Sequence, residues 1–256
     1  MIDKLQRKLA RIGLDRFETA AYCADEQEKM IARQERHGLH VSRAVKRCTS
    51  RECGREVCVD GCWFASRTHR GETILAGHDL FNDLDLPLLA VSIVRETWVA
   101  KPGELALFDH QGAQVWVKRR FAETNATCGI FSIEASLNAD LDGRRYWLFG
   151  VHGIVAGVTK ADIHESLRIP STEHSRTPVR VDPVNNLARQ LGYAQKRFVQ
   201  ERRQYRAENG QLRRKNFPLR SSDQAEHDAW LLGLEAGARA FLFRCRRDGS
   251  KLTVIK

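Results

Sequence analysis

Two groups of side chains in this chain have the types and spacing to do chemistry. The first is Cys48-x4-Cys53-x4-Cys58-x3-Cys62, four thiols within fifteen residues. Soft thiolates select zinc or an iron–sulfur cluster, and four protein ligands around one tetrahedral ion leave no open position, so the role read here is structural. Asp60-Gly61 supplies a turn for wrapping an ion, and His69 is a substitute ligand. The competing reading is of buried structural thiols, which suits the isolated Cys23, Cys128 and Cys245. The second group is Glu134, His152, Tyr193 and Lys196. A carboxylate and an imidazole can hold a divalent ion with positions open for phosphate. A tyrosine hydroxyl can attack phosphorus and form a covalent aryl ester. A lysine beside it can favour ionisation of the phenol, whose ordinary pKa is about 10, or stabilise charge on the phosphate. Taken singly, each has a structural reading: a core histidine bonded to a carbonyl, an exposed strand glutamate, a tyrosine packed on a sheet.

The segment GIFSIEASLNADLDGRRYWLFGVHGIVAG followed by YAQK resembles two motifs of the HUH-type replication initiators, the rolling-circle Rep endonucleases. The resemblance spans about residues 128 to 240 and rests on the order glutamate, turn, aromatic-rich strand with histidine, then Tyr-x-x-Lys. It implies a central antiparallel sheet with the histidine on a middle strand, a tyrosine helix across it, Mg²⁺ or Mn²⁺, and a DNA substrate. On the match, Glu134 and His152 are metal ligands, Tyr193 the nucleophile and Lys196 its helper. The family's first histidine falls here on Gly150, so Asp140, Asp142 or water must complete a metal shell.

The elements that must position these residues read as α+β. Residues 1–40 read as an amphipathic helix through Leu5, Leu9, Ile12 and Phe17, 41–72 as a basic cysteine-rich loop, and 73–256 as an HUH-like α+β domain. Strands are expected over 88–100, 128–138 and 144–157, the last two joined by a turn through Asp142-Gly143. That hairpin places Glu134 and His152 on neighbouring strands. Residues 113–123 read as a strand or a helix start, and Thr159 caps a helix. A helix pattern over 184–210 stops at Asn209-Gly210. A further helix follows, capped by Asp223 or Ser222, and then strands at 239–247 and 251–255.

The formal net charge is +10, and +8 of it falls between residues 185 and 220. There Arg197, Arg202, Arg203, Arg206, Arg213, Arg214 and Lys215 interleave with Phe198, Tyr205 and Phe217. Cations neutralise phosphates while rings stack on unpaired bases, so the stretch reads as a track for single-stranded DNA. No apolar face accompanies the charge, which argues against a membrane-surface helix. No segment reads as a membrane span or secretory leader, and the expected compartment is the cytoplasm, where the thiols stay reduced. The function expected is that of a replication-initiator-like protein of a plasmid or mobile element, nicking single-stranded DNA through Tyr193. The alternatives are a catalytically silent DNA-binding protein on the same fold, which Gly150 favours, and a zinc-containing RNA-binding protein.

Overall fold

The computed structural model describes residues 3–48, 53, 58–171 and 174–255. Helices α1 (Lys4–Arg11), α2 (Ala20–Arg36), α3 (Arg43–Lys46) and α4 (Trp63–Asp83) lead to the long strand β1 (Leu88–Ala100). Helix α5 (His110–Ala122), strands β2 (Cys128–Ala139) and β3 (Arg145–Ala156) and helix α6 (Lys160–Leu167) follow. Then come β4 (Val179–Pro183), α7 (Leu187–Ala194), β5 (Glu201–Arg206) and β6 (Leu212–Phe217). The chain closes with α8 (Ser221–Leu232), β7 (Ala240–Phe243), β8 (Cys245–Asp248) and β9 (Lys251–Val254).

Seven strands form one mixed sheet in the order β4-β1-β3-β2-β5-β6, with β7 also on β2. Every pair is antiparallel except β2 with β5. The parallel pair corrects the expectation of a purely antiparallel sheet. It arises because the chain leaves β3, passes through α6, β4 and α7, and re-enters beside β2 in β2's own direction.

The β2–β3 hairpin is the centre of the sheet. It pairs without interruption from Cys128↔Ala156 to Ala139↔Arg145. Its turn is closed by the Asp140 carboxylate, which accepts from the Asp142 and Arg144 amides, with Gly143 at φ 78°. One sheet face presents Phe131, Ile133, Trp147, Phe149 and Val151 to a core that also contains Val117, Phe121, Ile163, Trp230 and Leu231 from α5, α6 and α8. The other face is apolar at one end, where Cys128, Ile130 and Ile154 meet Leu9, Ile74, Phe81 and Leu191 from α1, α4 and α7. Farther along, the same face of β2 carries Ser132, Glu134, Ser136 and Asn138, all buried. Period-two alternation sets apolar residues on one side and this polar row on the other.

Several local expectations change. Residues 1–40 are two helices, broken after α1 by Gly13 at φ 85°. The cysteine-rich segment is not loop to its end: α4 starts at Trp63 and runs through the boundary placed at 72. Of the two readings of residues 113–123, the helix is the one found: they fall in α5, which begins at His110 and is capped at Glu123. The helix expected over 184–210 is α7 followed by a β-hairpin, and Asn209-Gly210 makes that hairpin's turn. Helix α8 begins at Ser221 with Arg220 at the cap position and no side-chain cap bond, so neither Ser222 nor Asp223 caps it. Thr159 does cap α6, in a reciprocal bond pair with Asp162.

Gly153 is where the hairpin tolerates no side chain: a Cβ there would lie 2.5 Å from the Ile130 carbonyl and 2.3 Å from the Phe131 ring. Gly153→Ala is therefore expected to destabilise the fold by about 1–3 kcal/mol. A urea melt should show a lower midpoint with an unchanged slope.

Candidate functional site

Glu134 sits on β2 directly opposite Gly150, and His152 lies two residues farther along β3 on the same face. Their closest approach is Glu134 Oε2 to His152 Nε2, 3.4 Å. Ser92 stands opposite His152 across β1, and its hydroxyl is 2.8 Å from His152 Nδ1. The Ser92 contact is satisfied when Ser92 donates to Nδ1, which leaves the ring proton on Nε2, on the side of Glu134. At 3.4 Å that approach makes no hydrogen bond, and among the described residues Glu134 Oε2 has no hydrogen-bond partner.

Positive charge closes on the carboxylate from the other side. Lys196 Nζ is 3.0 Å from Oε2, and Arg202 Nη2 is 3.7 Å from Oε1. The Lys196 ammonium also lies 4.1 Å from the centre of the Tyr193 ring, and that ring meets His152 edge-on at 5.7 Å between centres. Tyr193 is 47% exposed. Lys196 falls just past the end of α7, its amide donating to the Tyr193 carbonyl. The lysine therefore reaches Glu134 from the connector after α7, folding back beneath the tyrosine ring. Beside this group is a cavity of about 480 Å³, lined by Ser92, His152, Arg180, Arg189, Gln190 and Tyr193 among others.

The four residues singled out on β2, β3 and α7 thus come together. Asp140 and Asp142 do not join them. Asp140 is spent on its turn and on Arg144, and it lies six residues along β2 from Glu134, about 20 Å at the rise of an extended strand. Nor do the residues present fit a Mg²⁺ or Mn²⁺ ion. Such ions require near-octahedral oxygen ligands, and the site offers one carboxylate, one imidazole and a lysine already against the carboxylate. At Gly150 a Cβ would lie 3.2 Å from His152 Nε2, so the position faces the site but brings no ligand.

Burial holds the His152 pKa below its ordinary value of 6.5; Glu134 opposes that shift, and Lys196 and Arg202 reinforce it. The ring is therefore neutral at pH 7.

The cysteine cluster also assembles. The sulfurs of Cys48, Cys53, Cys58 and Cys62 lie within 4.8 Å of one another and can hold a metal ion. Cys53 Sγ is 3.3 Å from Cys62 Sγ and 3.4 Å from Cys58 Sγ. Cys62 takes the cap position of α4. Its pKa is lowered to about 5, first by the Cys53 thiol donating to it and then, against burial, by the Ala65 amide. Burial instead pushes Cys48 up to about 12. One thiolate stabilised by neighbouring thiols, at a helix N-terminus, is the start of a ligand set. His69 is not part of the cluster; its ring lies against Gly237.

The basic stretch divides. Arg213 and Lys215 stand exposed on β6. Arg206 and Arg214 are exposed and donate to the carbonyls of Gly210 and His174. Arg203 pairs with Glu201 at 2.6 Å and lies over the Phe217 ring. Arg202 belongs to the Glu134 site. Arg197 is not a phosphate contact: it is buried, and its guanidinium donates to the carbonyls of Asp60, Gly61 and Cys62. Sequence reasoning missed Ser92 and Arg239, and gave Asp60 a turn role only. Strand pairing alone reveals Ser92, whereas Asp60 and Arg239 form a buried ion pair between residues 179 positions apart.

No protein-family model, curated protein or solved structure matches this chain. Among the described residues no helix is long and apolar enough to cross a membrane.

Because Glu134 alone raises the His152 pKa, Glu134→Gln should lower it further and Lys196→Met should raise it. Following the ring protons by NMR from pH 4 to 8 checks both shifts. Wild-type His152 should titrate below 6.5.

Proposed function

We propose that this chain binds single-stranded DNA in the manner of a replication initiator. On this reading the β5–β6 hairpin is the phosphate track, and Lys196 and Arg202 receive a phosphate at the Glu134 site. The observation that supports it most is the direction of the basic hairpin. Arg202, Arg206 and Arg214 share the sheet face of Glu134, since Arg202 pairs with Asn138 and alternation carries the rest. The polar row on buried β2 therefore continues outward as a row of cations. Tyr205, 42% exposed, and Phe217 lie on the opposite face with Arg203, Arg213 and Lys215, where unpaired bases have rings to stack on. The cation at the site is Lys196, so DNA binding requires no divalent ion.

Fluorescence anisotropy with an oligothymidylate tests the track. Affinity should fall steeply with salt, and Arg202→Ala, Arg206→Ala and Arg214→Ala should each flatten the slope by about 0.7. Adding Mg²⁺ or Mn²⁺ at fixed ionic strength should leave affinity unchanged. A slope indifferent to all three substitutions contradicts the track.

A second reading, nicking, is favoured by the half-exposed Tyr193 ring above the Lys196 ammonium. The tyrosine oxygen would bond to phosphorus as the P–O3′ bond breaks. The phenolic proton would pass to water, and the departing 3′ oxygen would take one from water. A covalent adduct on denaturing gels, lost in Tyr193→Phe, is the expected sign; absence of any adduct leaves the binding role alone.

For the cysteine cluster the proposed ion is a structural zinc, held in the cytoplasm where thiols remain reduced. Metal analysis should give one zinc per chain and no visible iron–sulfur absorbance, and Cys53→Ser should lose the metal. Equal, near-zero metal in both proteins removes this site.

A further inference from the structure

The connector between α7 and β5, residues 195–200, has no repeating backbone hydrogen bonds of its own, yet it carries Lys196. The Gln195 and Lys196 amides donate to the Leu191 and Tyr193 carbonyls of α7, and the side-chain contacts on the first three residues come from the cysteine-rich segment and its neighbours. Arg197 donates to the Asp60 carbonyl at 2.6 Å, the Gly61 carbonyl at 2.7 Å and the Cys62 carbonyl at 3.4 Å. Its guanidinium stacks 4.1 Å above the Trp63 ring. Arg70 of α4 donates to the Gln195 carbonyl at 3.4 Å. Arg239 pairs with the Asp60 carboxylate at 2.5 Å and reaches the Lys196 carbonyl at 3.5 Å.

We infer that Arg197 is a positioning residue that couples the two sites: metal at the cysteines fixes the carbonyls of residues 60–62, and through Arg197 those carbonyls hold Lys196 between Glu134 and the Tyr193 ring. Three consecutive carbonyls can face one guanidinium only while their backbone keeps one conformation. That backbone is bounded by two of the four sulfur ligands, Cys58 and Cys62. On the far side it is tied to the end of α8, where the Asp60 and Gly61 amides donate to the Leu234 and Leu231 carbonyls at 2.8 Å. These bonds hold the amide edge of the segment without metal, so loss of the ion loosens the carbonyl edge rather than unfolding the segment. The guanidinium is buried and its pKa is pushed down by burial to about 10, which leaves it charged at neutral pH. A buried cation that loses its acceptors must be rehydrated. A disturbance at the cysteines therefore moves Arg197, and with it backbone that lies four residues from Tyr193 and two from Val199. The inference rests on the reading of the cysteines as a metal site and is independent of whether Tyr193 nicks DNA.

Coupling of this kind is reciprocal. The test uses the zinc-loaded 256-residue chain before and after stripping with a zinc chelator under reducing conditions, followed by hydrogen–deuterium exchange. Amides of residues 193–202 should lose about tenfold in protection while those of β2 keep theirs. Arg197→Ala should weaken zinc binding about tenfold, and exchange at 193–202 should no longer respond to zinc. Arg197→Lys, which can still donate to these carbonyls, should restore part of both effects. Should Arg197→Ala fail to fold, the wild-type stripping experiment and Arg197→Lys still decide. Protection at 193–202 that ignores zinc overturns the coupling, as does equal loss throughout β2, which would make the ion a global staple. A wild-type chain that binds no zinc removes the metal reading itself, a separate and distinguishable failure.

Discussion

A carboxylate set into a sheet face that is buried along the whole of β2 must be given positive charge or be neutralised. Glu134 is that carboxylate, its side chain 11% exposed. Its neighbours come from three places in the chain: Lys196 from the α7–β5 connector, Arg202 from β5, and the Nε2 edge of His152 from β3. The parallel pairing of β5 on β2 brings Arg202 into range, and the packing of α7 over β3 brings the connector into range. Much of the unusual topology of this sheet edge is thus tied to one charge.

The same requirement explains why the site is built around cations. Lys196 at 3.0 Å gives Glu134 an ion-pair partner from within the protein, while its Oε2 keeps an unused hydrogen-bond capacity among the described residues. A phosphate entering here would meet Lys196 and Arg202 with part of their charge already engaged, and a neutral His152 anchored by Ser92. Such a site binds an anion best when several more cations lie along the approach, and the β5–β6 hairpin supplies them. The cysteine-rich segment lies behind this arrangement. Its carbonyls hold Arg197, one residue beyond the lysine that faces Glu134.

The long strands were legible in the sequence because β1, β2 and β3 are core strands whose apolar runs and Asp-Gly turn carry their own signal. The meeting of Glu134 with His152 was legible for the same reason: once the hairpin register is fixed, face and neighbour follow. The approach of Tyr193 and Lys196 from α7 was expected only through the resemblance. The β5–β6 hairpin was not legible. Its strands extend beyond the core and are largely exposed, so no apolar alternation marks them, and Arg at intervals of three and four imitates a helical face. Arg197 was misread because charge counting cannot tell a solvated guanidinium from one spent on buried carbonyls contributed by residues far away in sequence. Ser92 was missed because its role exists only through the pairing of β1 with β3.

The central claim is that the cation-closed Glu134 site is where a DNA phosphate arrives. The most direct measurement is an amide and side-chain NMR titration of the zinc-loaded protein with a short oligothymidylate. The account expects the largest shifts at Lys196, Arg202 and Tyr193, continuous with shifts along residues 203–215. Shifts confined to another surface, with these three residues unmoved at saturation, would contradict it.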